Sequence, residues 1–170
     1  NNIFLVKLLY DNAESQVTTD GKANEVINGI PDWVNEEEFS FNNALAFSAD
    51  GTMLCWIRYH ETMVKSYSLQ LFKGMEPELN ENATYPGLYT YKYPKAGEAN
   101  SVATVWSYDI KSRQTRRLNI PMAVDGYIPR LKPTADAEKM LVYTMNRHQD
   151  VLNIYTVNPR STVAQLLVKE

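Results

Sequence analysis

The sequence has a single cysteine, Cys55, in 170 residues, so no internal disulfide can staple the fold. Cys55 sits in the apolar run Met53-Leu54-Cys55-Trp56-Ile57 and reads as an inert buried thiol. Glycine is sparse as well: none of the seven opens a Gly-x-Ser-x-Gly nucleophile elbow and none builds a phosphate-cradling loop. That argues against serine hydrolysis on this chain, and no cofactor is called for. There are only two histidines. His60-Glu61 starts like a zinc-protease motif, but Val64 stands where the second histidine must be, and His148, beside Arg147 and Asp150, reads as a turn residue. No run of about 18 apolar residues could cross a bilayer as a helix. Lys and Arg are scattered singly at a net charge of −3, so there is no basic face to neutralise a phosphate backbone, and nucleic acid is not an expected partner.

What is present is a mixed composition, 44% hydrophobic, that can bury a core. Strand patterns recur. Asn2-Ile3-Phe4-Leu5-Val6, Thr104-Val105-Trp106-Ser107-Tyr108 and Asn153-Ile154-Tyr155-Thr156-Val157 share one alternation. Each is followed by a polar turn (Asp11 to Ser15, Lys111 to Gln114, Asn158 to Ser161) and a second strand (Gln16 to Thr18, Arg117 to Ile120, Leu166 to Val168). A second unit, Ala44 through Ile57, resembles Ile128 through Tyr143: a strand, a Ser/Pro-x-Asp turn and an apolar return strand. Thr62 to Phe72 alternates and reads as a further strand.

Roughly four antiparallel strands at a period of about 40 to 50 residues are the mark of a β-propeller. The fold expected is therefore all-β, a propeller fragment of about two to two and a half blades. Residues 1–20 end one blade, 21–120 form an expanded blade, and 121–170 form the next. The expanded blade carries an acidic stretch, 31–39, and an insertion, 73–100. So few blades cannot close a ring, and Asn1-Asn2-Ile3-Phe4 runs straight into a strand rather than a signal peptide, so a piece of a longer protein is expected.

The insertion has two parts: Met75 to Asn82 is acidic and turn-prone, and Tyr85, Tyr89, Tyr91 and Tyr93 then alternate with polar residues. Those rings either face the body of the blade or line an extended arm of the composition found at protein contacts. Asn82-Ala83-Thr84 fits the glycosylation pattern, a short signal that arises often by chance.

The stretch with most chemistry is Pro31-Asp32-Trp33-Val34-Asn35-Glu36-Glu37-Glu38-Phe39. Proline suits a first helical turn, Asp32 is a good N-cap and early acids complement the helix dipole, so a short helix is expected, anchored by burial of Trp33 and Phe39. Three adjacent carboxylates admit four readings. They form a solvated charge run, a calcium site, a dock for a basic partner, or a receptor for a substrate ammonium, whose three N–H donors call for more than one carboxylate.

The segment Asp32-Trp33-Val34-Asn35-Glu36-Glu37-Glu38 resembles the Asp-Trp-Val-Tyr-Glu-Glu-Glu motif of the dipeptidyl peptidase IV family of serine exopeptidases. Gly21-Lys22, Asn28-Gly29-Ile30 and Tyr93-Pro94-Lys95-Ala96-Gly97 also resemble that family's pattern, and Asn35 departs from its tyrosine. The resemblance implies a propeller capping an α/β-hydrolase domain that releases N-terminal dipeptides with proline or alanine second. It implies that Glu37 and Glu38 grip the α-ammonium of a peptide with a free N-terminus, with Glu36 as the flanking acid. The catalytic Ser, Asp and His are then expected in a C-terminal domain of the same protein. A homodimer through the Lys73–Gly97 insertion and export to a bacterial periplasm or cell envelope are further implications. A tripeptidyl peptidase propeller and a non-catalytic binding platform are the alternatives.

Overall fold

The computed structural model describes residues 1–9, 11–72, 82 and 84–170. In chain order, β1 (Phe4–Lys7) and β2 (Ala13–Gln16) form a hairpin. Then come β3 (Val26–Asn28), helix α1 (Trp33–Phe39), β4 (Leu45–Phe47) and β5 (Met53–His60). A separate two-stranded ribbon of β6 (Ser66–Leu71) and β7 (Gly87–Lys92) follows. The chain then returns to pair β8 (Val102–Asp109) with β5, and β9 (Gln114–Arg117) with β8. The last four strands, β10 (Tyr127–Pro133), β11 (Met140–Met145), β12 (Leu152–Val157) and β13 (Ala164–Lys169), form an antiparallel meander.

Among the described residues the structure is nearly all-β, with one short α-helix, α1, and every strand pair is antiparallel. The described strands close no barrel, and the two larger sheets pack against each other through a shared core, as neighbouring propeller blades do. The insertion is occupied on its described side by the return strand of the β6–β7 ribbon, whereas residues 73–81, most of its acidic part, lie outside the described residues.

The central strand explains its own sequence. β5 is covered on both faces, so it reads as a nearly continuous apolar run, and alternate residues enter two different cores. Leu54 and Trp56 pack with Ile3 and Tyr108 on one face. Ile57 and Tyr59 pack on the other with Val105 and Leu118 and, from the neighbouring sheet, Ile128, Val142 and Val157. Burying a side chain such as Ile57 fully is worth about 1.5–3 kcal/mol. Polar latches add direction at the sheet-to-sheet seam: Arg160 pairs with Asp109 and donates to Thr52 Oγ1 at 2.8 Å, and Ser107 Oγ donates to the Pro159 carbonyl at 2.7 Å. Apolar residues of the two outer sheets, Phe4 and Val6 on β1 and Leu166 to Val168 on β13, are exposed.

Two outer strands begin earlier than their polarity suggests. The sequence pattern points to strands at Gln16–Thr18 and Arg117–Ile120, whereas the ladders run over Ala13–Gln16 and Gln114–Arg117. Both are edge strands with mostly exposed side chains, so polar residues sit in them without penalty. The turn before β9 is also tighter than read. Asp109 Oδ1 accepts from the amides of Lys111 and Ser112 at 2.9 and 3.0 Å, and Arg113, at φ 58°, closes the reversal.

Candidate functional site

The acidic stretch leaves the sheet and returns to it at one point. The Gly29 amide donates to the Ile57 carbonyl at 3.1 Å, the Ile57 amide donates to the Ala44 carbonyl at 2.8 Å, and the Ala44 amide donates to the Gly29 carbonyl at 2.9 Å. Gly29 and Ala44 thus divide between them the pairing that one residue would make with Ile57. The whole of 30–43 is an outsized bulge in a single strand, of which β3 and β4 are the two halves. Gly29 is needed at the exit: its φ is +79°, and a Cβ there would lie 3.0 Å from Leu45 Cδ2 and 3.1 Å from Ile3 Cδ1.

Helix α1 is rooted by polar groups rather than by rings. Asp32 is the N-cap, and its buried Oδ1 accepts from the Asn35 amide at 2.9 Å and from Asn35 Nδ2 at 2.6 Å. Asp32 Oδ2 accepts from Ser101 Oγ, just ahead of β8. Ser40 ends the helix in the left-handed region at φ 51°. Trp33, expected to anchor by burial, is instead 37% exposed. It packs at the surface against Tyr93, with ring centroids 4.3 Å apart, and against Tyr91 at 6.1 Å. The helix residue that is buried is Asn35, where the family pattern has tyrosine. Phe39 is half-buried, edge-on to Tyr127 at 5.6 Å.

Beneath the helix lies a buried polar floor that sequence reasoning missed. Glu61 is only 4% exposed, and burial, with the neighbouring Asp32 charge, pushes its carboxyl up to about 7 against the opposing pull of Lys92. Burial and Asp32 also push the Tyr59 phenol well up. Among the described residues, the Tyr59 hydroxyl and Asn35 Oδ1 are buried with no hydrogen-bond partner. Lys92 Nζ donates to the Val64 carbonyl at 2.7 Å, which holds the end of the ribbon beside this floor.

Above the floor, Glu36, Glu37 and Glu38 are all exposed. Successive helical residues point about 100° apart, so the three carboxylates fan out rather than stack. Glu38 lines a cleft of about 540 Å³ together with Trp33, Tyr93, Lys95, Tyr127 and Arg147. Glu36 lines a separate hollow with Ser40, Phe41 and Asn42, and Glu37 lines neither. Tyr127 is held by Asn100 Nδ2, which donates to its hydroxyl at 2.8 Å. Lys95, Asn100, Tyr127 and Arg147 come from scattered positions with no shared motif, so only the fold assembles them with Glu38.

Elsewhere the residues singled out in the sequence are ordinary. His60 ends β5, with Nε2 3.2 Å from Thr62 Oγ1, and His148 lies in the β11–β12 turn. Cys55 is fully buried, and burial pushes its thiol up to about 12. The tyrosines divide: Tyr91 and Tyr93 are half-buried near Trp33, while Tyr85 and Tyr89 are exposed.

Residues 1–170 match the family model of the dipeptidyl peptidase IV (DPP IV) N-terminal region over their whole length. The chain belongs to the dipeptidyl peptidase IV family. It is 39% identical over 169 residues to "Probable dipeptidyl-aminopeptidase B" of Verticillium alfalfae, which covers 93% of this chain and 18% of that protein. It is 33% identical over 174 residues to the protein of the same description from Talaromyces marneffei, covering 98% of this chain and 19% of the other. Among solved structures, Porphyromonas gingivalis dipeptidyl peptidase 4 superposes with a TM-score of 0.91 at 41% identity, over 100% of this chain and 23% of that one. The chain therefore spans about a fifth of the length of the dipeptidyl peptidase relatives it matches.

Proposed function

We propose that this chain is the substrate-selecting propeller portion of a serine exopeptidase that releases Xaa-Pro or Xaa-Ala dipeptides. In this reading Glu37 and Glu38 hold the substrate α-ammonium, and Glu36 flanks them. The observation that carries the reading is that three exposed carboxylates sit on a helix whose cap is buried and tied through Ser101 to the start of β8. A rigid mount matters because a receptor for a small cation works by geometry fixed before the ligand arrives. Glu37 and Glu38 are exposed neighbours on α1 and take part in none of the ion pairs among the described residues, which leaves both carboxylates free to turn toward one ammonium with three donors to satisfy.

The hydrolytic machinery belongs, in this proposal, to the remainder of the longer protein, an α/β-hydrolase domain facing the propeller. Family membership and the greater length of the relatives support that division. Contact between two copies through the ribbon is part of the same proposal, supported by the exposed Leu69, Leu88 and Tyr89 on β6 and β7.

The test uses the full-length protein. Glu37→Gln and Glu38→Gln preserve size and remove charge, and each should lower kcat/KM for Ala-Pro and Gly-Pro chromogenic substrates. A charged hydrogen bond is worth about 1.5–3 kcal/mol, or about 10- to 150-fold, and Glu36→Gln should cost less. An N-acetylated peptide offers no ammonium, so the variants should lose little on it. Equal activity in all three variants would return the acids to a solvated charge run.

A further inference from the structure

Glu38 shares its cleft with a cation that has no anionic partner among the described residues. Arg147, in the β11–β12 turn, lines the same wall, and its Nη2 donates to the Glu98 carbonyl at 2.7 Å. Five ion pairs form among the described residues, and neither Arg147 nor Glu38 takes part in any of them. The other cation of the cleft, Lys95, lies over the Tyr67 ring, 5.3 Å from its centroid. A guanidinium carries five N–H donors in a fixed fork, and the carbonyl of Glu98 engages one side of it. The remaining donors are left for whatever enters.

Opposite charges held on separate elements and not paired with each other complement a ligand that carries the reverse arrangement. Glu38 is fixed by the root of α1, and Arg147 by its bond to Glu98. A volume of about 540 Å³ corresponds to a cube about 8 Å on edge. An N-terminal aspartate or glutamate has its ammonium and its side-chain carboxylate only a few bonds apart. With a charge-assisted bond of about 2.8 Å at each end, it spans a space of that size.

We propose that Arg147 is a specificity-determining residue that receives an acidic side chain on the first residue of the peptide. This inference rests on the amine-receptor reading and adds a substrate class to it: Glu-Pro and Asp-Pro N-termini above Lys-Pro. Arg147 acts on selection and takes no part in bond cleavage.

The experiment measures kcat/KM of the full-length protein for Glu-Pro, Ala-Pro and Lys-Pro p-nitroanilides in wild type, Arg147→Gln, Arg147→Lys and Arg147→Glu. The expected wild-type order puts Glu-Pro above Lys-Pro. Arg147→Gln should lower the Glu-Pro to Ala-Pro ratio about 10-fold with Ala-Pro itself within about twofold, and Arg147→Glu should invert the Glu-Pro to Lys-Pro ratio. Arg147→Lys should retain part of the preference, because it retains the charge. If Arg147→Gln lowers all three substrates alike, Arg147 is a structural staple on Glu98 and the inference fails. Ratios that stay constant in every variant while Ala-Pro is still cleaved also overturn it, and leave the amine receptor standing. A wild-type protein that cleaves none of the three overturns the exopeptidase reading itself.

Discussion

Ser101 Oγ donates a hydrogen bond to Asp32 Oδ2 across 69 positions of sequence, so the cap of α1 is fastened to the start of a strand in the middle of the blade. Asp32 is thereby the joint between a local motif and the sheet.

Asp32→Ala should destabilise the protein by about 1–3 kcal/mol, because it removes a helix cap and orphans the buried donors of Asn35 and Ser101. Urea unfolding measures the loss. In the full-length protein the same change should lower kcat/KM for free-amine peptides without touching Glu37 or Glu38. An unaltered unfolding midpoint would mean that the helix is held by something other than this joint.

Glu61 gives a pH signature. Its folded carboxyl titrates near 7, above the usual 4.5, so the folded state binds its proton more tightly than the unfolded chain does. The stability it contributes is complete below about pH 4.5 and is lost as pH rises toward and through 7. Thermal unfolding at pH 5 and pH 8 should show a larger fall in Tm for wild type than for Glu61→Gln. Parallel profiles in the two proteins would refute this.

The Tyr59 hydroxyl is buried and has no partner among the described residues, so removing it should cost nothing. Tyr59→Phe is expected to unfold within about 0.5 kcal/mol of wild type or to be more stable, since an unsatisfied polar group is lost. A loss of more than about 1 kcal/mol would show that the hydroxyl is satisfied after all, most simply by a buried water shared with Asn35.

For the ribbon, Leu88→Lys and Tyr89→Lys place charges on its two most exposed large residues in β7. If the ribbon joins two copies, light scattering on the full-length protein should report a change from dimer to monomer. Unchanged mass would leave these residues as plain surface.

Much of this was legible in the sequence, for reasons that particular residues make clear. The alternation of β8 and β12 and the continuous apolar run of β5 reported burial on one or both faces, and burial is what a hydrophobic pattern records. The cap at Asp32 and the helix after it followed from local chemistry that acts within one turn. The edge strands β2 and β9 slipped because exposed strands carry no such record. Trp33 was misplaced for a related reason: a tryptophan signals contact area, but the partner it found, Tyr93, lies on an excursion whose path the sequence does not state. Glu61 and Arg147 do not stand out in the sequence, because only the fold supplies their surroundings: the Asp32 charge near the one, a cleft shared with Glu38 for the other.

The pairing of Gly29 and Ala44 with the single residue Ile57 makes α1 separable from the ladder that carries it. In the backbone ladder residues 30–43 take no part: strand register before and after them is the register of an uninterrupted strand. A blade built this way can lengthen, shorten or exchange this excursion while its ladders keep their alignment. The segment is in effect a cassette, and the same seam is where an engineer would graft a different insert onto this scaffold.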